Sequence, residues 1–158
     1  MKQGSFYKSL LLIILAVGLI WARSSYGKLS GGNFVSSLAT VLIKNSQSNP
    51  YPFYKQFLTT VAIPNSVVFG NLTMWGEFLV AVSLVGGSLY LLLFKDANEK
   101  LARICLISGL IGGIFLNINF WFAFSWTSAA SDSLNLLMIL IQAIAAGSLK
   151  NNFLDSKR

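Results

Sequence analysis

The chain has 158 residues, 54% of them hydrophobic and only 11% charged, with a mean hydropathy of +0.65. A soluble domain carries about 25% charged residues, so the composition fits a single integral membrane domain over residues 1–158. Its net charge of +7 lies beside apolar runs, where basic residues set topology and meet anionic headgroups, which excludes a nucleic-acid partner.

The absence of His and the single Cys exclude His-ligated haem or zinc, Cys–Cys metal sites and internal disulfides. No metal and no covalently bound cofactor is expected. Cys105, inside RICLISGL, reads as an inert buried thiol. Any redox chemistry therefore needs an external cofactor such as a lipid quinone, or a partner subunit.

In chain order, the first apolar run covers about residues 9–26 (SLLLIILAVGLIWARSSY), and a bilayer crossing takes about 20 residues. Lys2 and Lys8 precede it as in a signal peptide. WARSSYGK, however, offers no small-x-small cleavage site, so the run reads as a retained helix. Residues 27–68 form the one long loop. Its stretch NFVSSLATVLIKN sets Phe34, Leu38, Val41 and Leu42 at helical spacing. NPYPFYKQFLTTVAIPN then clusters Tyr51, Phe53, Tyr54 and Phe57 among Pro50, Pro52 and Pro64. Both pieces read as short interfacial helices or turns, either capping the bundle or closing an outward pocket.

Three further spans follow at about 69–94, 101–124 and 133–149, apolar nearly all round. The expected fold is all-α, a four-helix membrane bundle. Gly18, Gly86, Gly87, Gly109, Gly112 and Gly113 supply small surfaces for close helix packing. SGLIGG at 108–113 lies inside a span with no strand before it and is not a phosphate loop. Eight basic residues (Lys2, Lys8, Lys95, Lys100, Arg103, Lys150, Lys157 and Arg158) fall on one side. Four (Arg23, Lys28, Lys44 and Lys55) fall on the other. The positive-inside rule then puts both termini in the cytoplasm.

Helical rise places a polar group of every span at a similar depth. Arg23 lies roughly 22 Å above Lys8, Glu77 roughly 25 Å from Phe94, and Asn135 about 22 Å from Lys150. Asn117 and Asn119 lie roughly 21 and 24 Å from Arg103, with Asp132 nearer the outer surface. The inner half is expected to hold almost no polar groups. Glu77 needs a cation at this depth, and Arg23 is the expected partner because its planar fork can hold a carboxylate at two points. Lys28, nearer the interface, can snorkel to water. The layer fits either an ion pair that locks the first two spans or a small outward polar pocket. Trp75, Trp121 and Trp126 at this level suit the walls of such a pocket, and equally suit interface anchors. No nucleophile–base or paired-carboxylate constellation for hydrolysis is present.

The order ARSSYGK, then WGEFLVAVSLVGG, NINFWFAFSWTS and SDSLNLLMILIQ resembles the DoxX/DoxD family, from about Leu12 to Ala146. Within it, the chain looks like the DoxD-like small subunit of thiosulfate:quinone oxidoreductase. The resemblance implies a four-helix bundle in a prokaryotic cytoplasmic or thylakoid membrane. It also implies a quinone cofactor and a partner membrane or extracytoplasmic subunit. The carried-over polar positions are Arg23, Lys28, Glu77, Asn119, Trp121, Trp126, Asp132 and Asn135. Two functions stay open: a quinone-linked oxidoreductase subunit, or a non-catalytic accessory subunit that holds a lipid or pigment within a larger membrane complex.

Overall fold

The computed structural model describes residues 3–94 and 99–155, with side chains for 6–94 and 99–149. Lys2, Lys95, Lys157 and Arg158 of the charge count lie outside the described residues, as does the side chain of Lys150. All regular structure among the described residues is helical. Helix α1 (Gln3–Gly31) is followed by α2 (Phe34–Gln47) and α3 (Pro52–Phe57), which runs into a π-helical turn at Leu58–Ala62. Helices α4 (Ser66–Leu93) and α5 (Glu99–Phe124) come next; a 3-10 turn at Ser125–Thr127 leads into α6 (Ala129–Asp155).

Among the described residues, four stretches are long and apolar enough to span a membrane: Phe6–Gly31, Ser66–Leu93, Glu99–Thr127 and Ala129–Leu149. Helices α1 and α6 run past both ends expected from hydropathy, and α4 and α5 begin two or three residues earlier than expected. Polar residues at headgroup level stay helical because the helix satisfies its own backbone, whichever solvent surrounds it. Helix α1 ends where Gly32 takes φ +67, a left-handed residue that closes the helix and turns the chain into α2. The α6 N-terminus is capped by Ser128, whose Oγ accepts the Ser131 N–H at 3.0 Å.

Sequential spans are antiparallel neighbours. Gly18 faces Leu84 and Val85 while Ser24 faces Glu77. Gly87 meets Leu106 while Gly76 meets Leu116, and Trp121 meets Asp132 at the α5–α6 end. The start of α1 and the end of α6 therefore lie at one end of the bundle, with α2, α3 and the π-turn at the other, here called the cap end. Each helix sends a stripe at intervals of three and four residues into one core. Leu11, Ile14, Val17 and Trp21 come from α1, Val80 and Leu84 from α4, Leu106 and Leu110 from α5, and Met138, Ala145 and Leu149 from α6. Cys105 is not part of it: its thiol is exposed on the lipid-facing side of α5, one residue off the buried stripe at Leu106.

Lipid tails are as apolar as these side chains, so close packing rather than water exclusion holds the spans together. A Cβ added at Gly18 would lie 2.9 Å from Leu84 Cβ and 3.0 Å from the Val85 backbone nitrogen. Gly86 has nothing within 4 Å. We therefore expect Gly18→Ala to lower the midpoint of SDS- or heat-induced unfolding by the equivalent of about 1–3 kcal/mol. Gly86→Ala should be neutral or stabilising through its better helix propensity. Equal effects of the two substitutions would contradict this packing.

Candidate functional site

The stripe that α1 buries in the bundle continues upward through Ser24, Ser25 and Lys28. Helix α4 presents Glu77 on its own buried stripe, between Gly70 and Val80. There Lys28 Nζ meets Glu77 Oε2 at 2.7 Å. Ser24 Oγ donates to the same oxygen at 2.8 Å and accepts from Lys28 Nζ at 2.9 Å. The ammonium also stands 5.2 Å from the centroid of Phe34, the first residue of α2. One cation thus ties together the cap-end turns of α1 and α4 and the start of α2.

The expected partner Arg23 is not the one used. At about 100° per residue it projects roughly 180° away from Ile14 and the buried stripe, and its side chain is exposed. Lys28 lies within about 40° of that stripe, and its flexible stem reaches back to Glu77. Depth along the helix favoured Arg23; angle around the helix decides for Lys28.

Glu77 is 0% exposed. Its Oε2 has two donors, whereas its Oε1 is buried with no hydrogen-bond partner among the described residues. Glu77, Ser24 and Lys28 line the polar end of a cavity of about 1150 Å³. From there the cavity runs along α4 and α5 to Ser83, Ser108 and Gly109, near mid-bundle. Its walls are mainly apolar and aromatic, with Phe34, Phe69, Phe115 and Phe120 among them. Leu72, Leu79 and Phe115 on its flank are exposed within spans, so the cavity is a groove open sideways to the lipid.

The remaining sequence-predicted residues divide among three places. Asn119 and Asn135 line the groove. The Asn119 carboxamide is held by Tyr54, whose hydroxyl donates to the Asn119 Oδ1 and main-chain oxygens at 3.2 and 3.1 Å. The Asn135 amide donates back to the Ser131 carbonyl at 2.7 Å. Trp121 Nε1 donates to Asp132 Oδ1 at 2.6 Å, clasping the α5–α6 corner away from Glu77. Tyr51 packs its ring against both Trp121 and Trp126, at 5.4 and 6.3 Å, so these tryptophans dock the cap. Trp75 is exposed and points outward.

Asn117 belongs to a deeper polar contact. Its Nδ2 donates to Gln142 Oε1 at 3.3 Å, and Gln142 is 0% exposed. Helical side chains lean toward their own N-terminus, so in this antiparallel pair Asn117 reaches away from the cap and Gln142 reaches toward it. Ser88 is likewise fully buried. The half of the bundle near the termini is therefore not free of polar groups, and Gln142 was legible as a polar residue on the α6 stripe, seven residues after Asn135. Ser24 was legible in the same way, four residues before Lys28 on the buried face of α1.

The cap is fastened to the end of α5, where the last carbonyls of the helix lack intrahelical partners. Asn49 Nδ2 donates to the Phe122 carbonyl at 3.1 Å while its Oδ1 accepts the Tyr51 N–H at 2.9 Å. Lys55 Nζ closes the end of α2 on the Gln47 carbonyl at 2.9 Å. Tyr54 and Phe122 stack at 5.4 Å. Burial pushes the Tyr54 hydroxyl up to about 12 from its ordinary 10, so the docked cap holds the neutral phenol.

Five outcomes are expected. Glu77→Gln should lower stability in detergent by on the order of 3 kcal/mol, because Lys28 keeps its charge without a counter-charge. Adding Lys28→Gln should recover most of that, and Arg23→Gln should change it by less than about 0.5 kcal/mol. An Arg23→Gln loss equal to that of Glu77→Gln would refute the pairing. For Tyr54, docked and released caps are both neutral below pH 10, so cap stability is unchanged there and falls as pH rises from about 10 toward about 12. Tryptophan fluorescence should follow that transition, and Tyr54→Phe should remove it while costing about 1 kcal/mol for the bond to Asn119. Compared with protein-family models, curated proteins and solved structures, the chain has no match.

Proposed function

We propose that the groove holds the head and first tail segments of a membrane-soluble amphiphile, and that the chain serves as a quinone-linked oxidoreductase subunit of the DoxX/DoxD type. One observation carries the proposal. A long, aromatic-walled cavity opens sideways to lipid and ends at a buried charged cluster of Lys28, Glu77 and Ser24. Ligand sites are commonly apolar clefts with a few convergent polar groups, and this one is at the large end of their usual size range.

A flat quinone ring suits the Phe-rich walls, and an isoprenoid tail suits the lipid-facing flank. In this reading, electrons from thiosulfate or a related sulfur compound pass to the quinone with the help of a partner subunit. The exposed Arg23 gives an anion a first cationic contact at the cap end. By the positive-inside count, that end lies outside and both termini are cytoplasmic, in a prokaryotic cytoplasmic or thylakoid membrane. A second reading is that the chain is an accessory subunit and the groove holds a structural lipid. It is favoured by Lys28 and Glu77 being engaged with each other rather than free for substrate.

The test is extraction into mild detergent, followed by mass spectrometry of co-purified lipids. The oxidoreductase reading expects an isoprenoid quinone, counted as quinone plus quinol, near one per chain, at least tenfold depleted by Ser108→Trp, which places a large ring on the tail path. A bound phospholipid without quinone favours the accessory reading. No lipid beyond bulk carry-over sinks both.

A further inference from the structure

The polar end of the groove is asymmetric in its hydrogen-bonding capacity. Lys28 and Ser24 already donate to Glu77 Oε2, and Ser24 in turn accepts from Lys28. The other carboxylate oxygen, Oε1, is buried and has no donor among the described residues. A carboxylate oxygen can only accept. It lies in a side chain that is 0% exposed, in a span, where an unmet acceptor is costly. Of the residues lining this end, Glu77 alone carries a carboxylate, and one of its two oxygens has no donor among the described residues. The aromatic faces of Phe34 and Phe120 supply no donor, and one N–H of the Asn119 amide is taken by the Phe115 carbonyl at 2.7 Å.

From this we infer that Glu77 determines head-group specificity, by selecting a groove ligand whose head donates a hydrogen bond. The inference rests on the amphiphile-groove reading above. The occupant it commits to is the hydroxylated, reduced form of a flat isoprenoid ring, a quinol. One phenolic O–H reaches Glu77 Oε1 and satisfies the orphaned acceptor. The oxidised ring offers only carbonyl oxygens, which would face that carboxylate oxygen lone pair to lone pair. The remaining Lys28 proton is available to a ring oxygen in either form, so Lys28 supplies affinity and Glu77 the discrimination. No electron or proton is transferred in this binding step. A site built to receive a hydroxyl holds the analogue without one more weakly because its own buried group is left unpaired, so the quinone still enters on Lys28 and its quinol form is held more tightly.

The experiment uses the full chain in detergent or nanodiscs, with three versions of one short-tailed ring: the quinone, the quinol, and the quinol with both hydroxyls methylated. The methyl ether keeps shape and apolar surface while removing the donor. The wild-type protein should bind the quinol at least tenfold more tightly than the quinone or the ether, read as ligand-induced shifts in melting temperature across a titration. Glu77→Gln should reverse the order of quinol and quinone, because the carboxamide places N–H donors where a carboxylate oxygen was. If that variant does not fold, the wild-type comparison decides alone. Equal binding of all three forms overturns the selection by Glu77 and leaves the groove intact. Binding by none of them refutes the groove itself, and this inference with it.

Discussion

A carboxylate buried inside a span must find a cation, and this requirement fixes how α1 lies against α4. Taking Glu77 out of water costs several kcal/mol, which only a close counter-charge and further donors offset. Lys28 and Ser24 supply both from one face of α1. A slip of one residue along α1 would rotate that face by about 100° and carry the ammonium away. A slip of a full turn would move it about 5.4 Å along the axis. Apolar helices in lipid slide past one another with little preference, so the ion pair gives the bundle a register its hydrophobic stripes cannot give. The same register seats Gly18 on Leu84 and Val85, six residues below Ser24, so electrostatics and close packing agree.

The other half of the molecule follows a similar rule with neutral groups. Asn117 and Gln142 join α5 to α6 well below the cap, and Gly113 is the residue that lets Gln142 come so close. Nearer the cap, Trp121 and Asp132 clasp the corner between the same helices. The polar layer is thus a set of separate interhelical locks: α1 to α4 through Glu77, α5 to α6 through two contacts, and the cap to α5 through Asn49 and Tyr54. The groove exists because these locks leave the outer flank between α4 and α5 unfilled.

Hydropathy was enough to see the four spans, because about 20 apolar residues in a row have few alternatives. It was enough, too, to see that the aromatic loop folds as short helical pieces. Depth was legible from helical rise, and it singled out Glu77 as the group needing explanation. The identity of its partner was not obtained that way, since depth ignores the angle around the helix and Arg23 lies on the wrong side. The buried stripe through Ile14, Val17, Trp21 and Ser25 carries that information, and extending it picks out Lys28. The Asn117–Gln142 contact escaped for a different reason: equal depth was assumed to mean pairing, whereas side chains leaning toward their own N-termini meet across unequal levels. A pocket at the level of Glu77 was one of two readings of the polar layer, but the length and sideways opening of the groove could not be read, because a cavity is set by which side chains fail to fill a space.

The sideways opening of the groove changes what affinity means for this protein. A ligand that enters from the bilayer is counted against the lipids around it, so occupancy depends on its mole fraction in the membrane rather than on its concentration in water. With Tyr54 and Asn49 pinning the cap over the top of α5, arrival becomes a search in two dimensions along the flank between α4 and α5. Dilution of the surrounding solution leaves such a site filled, while dilution with extra lipid or detergent empties it.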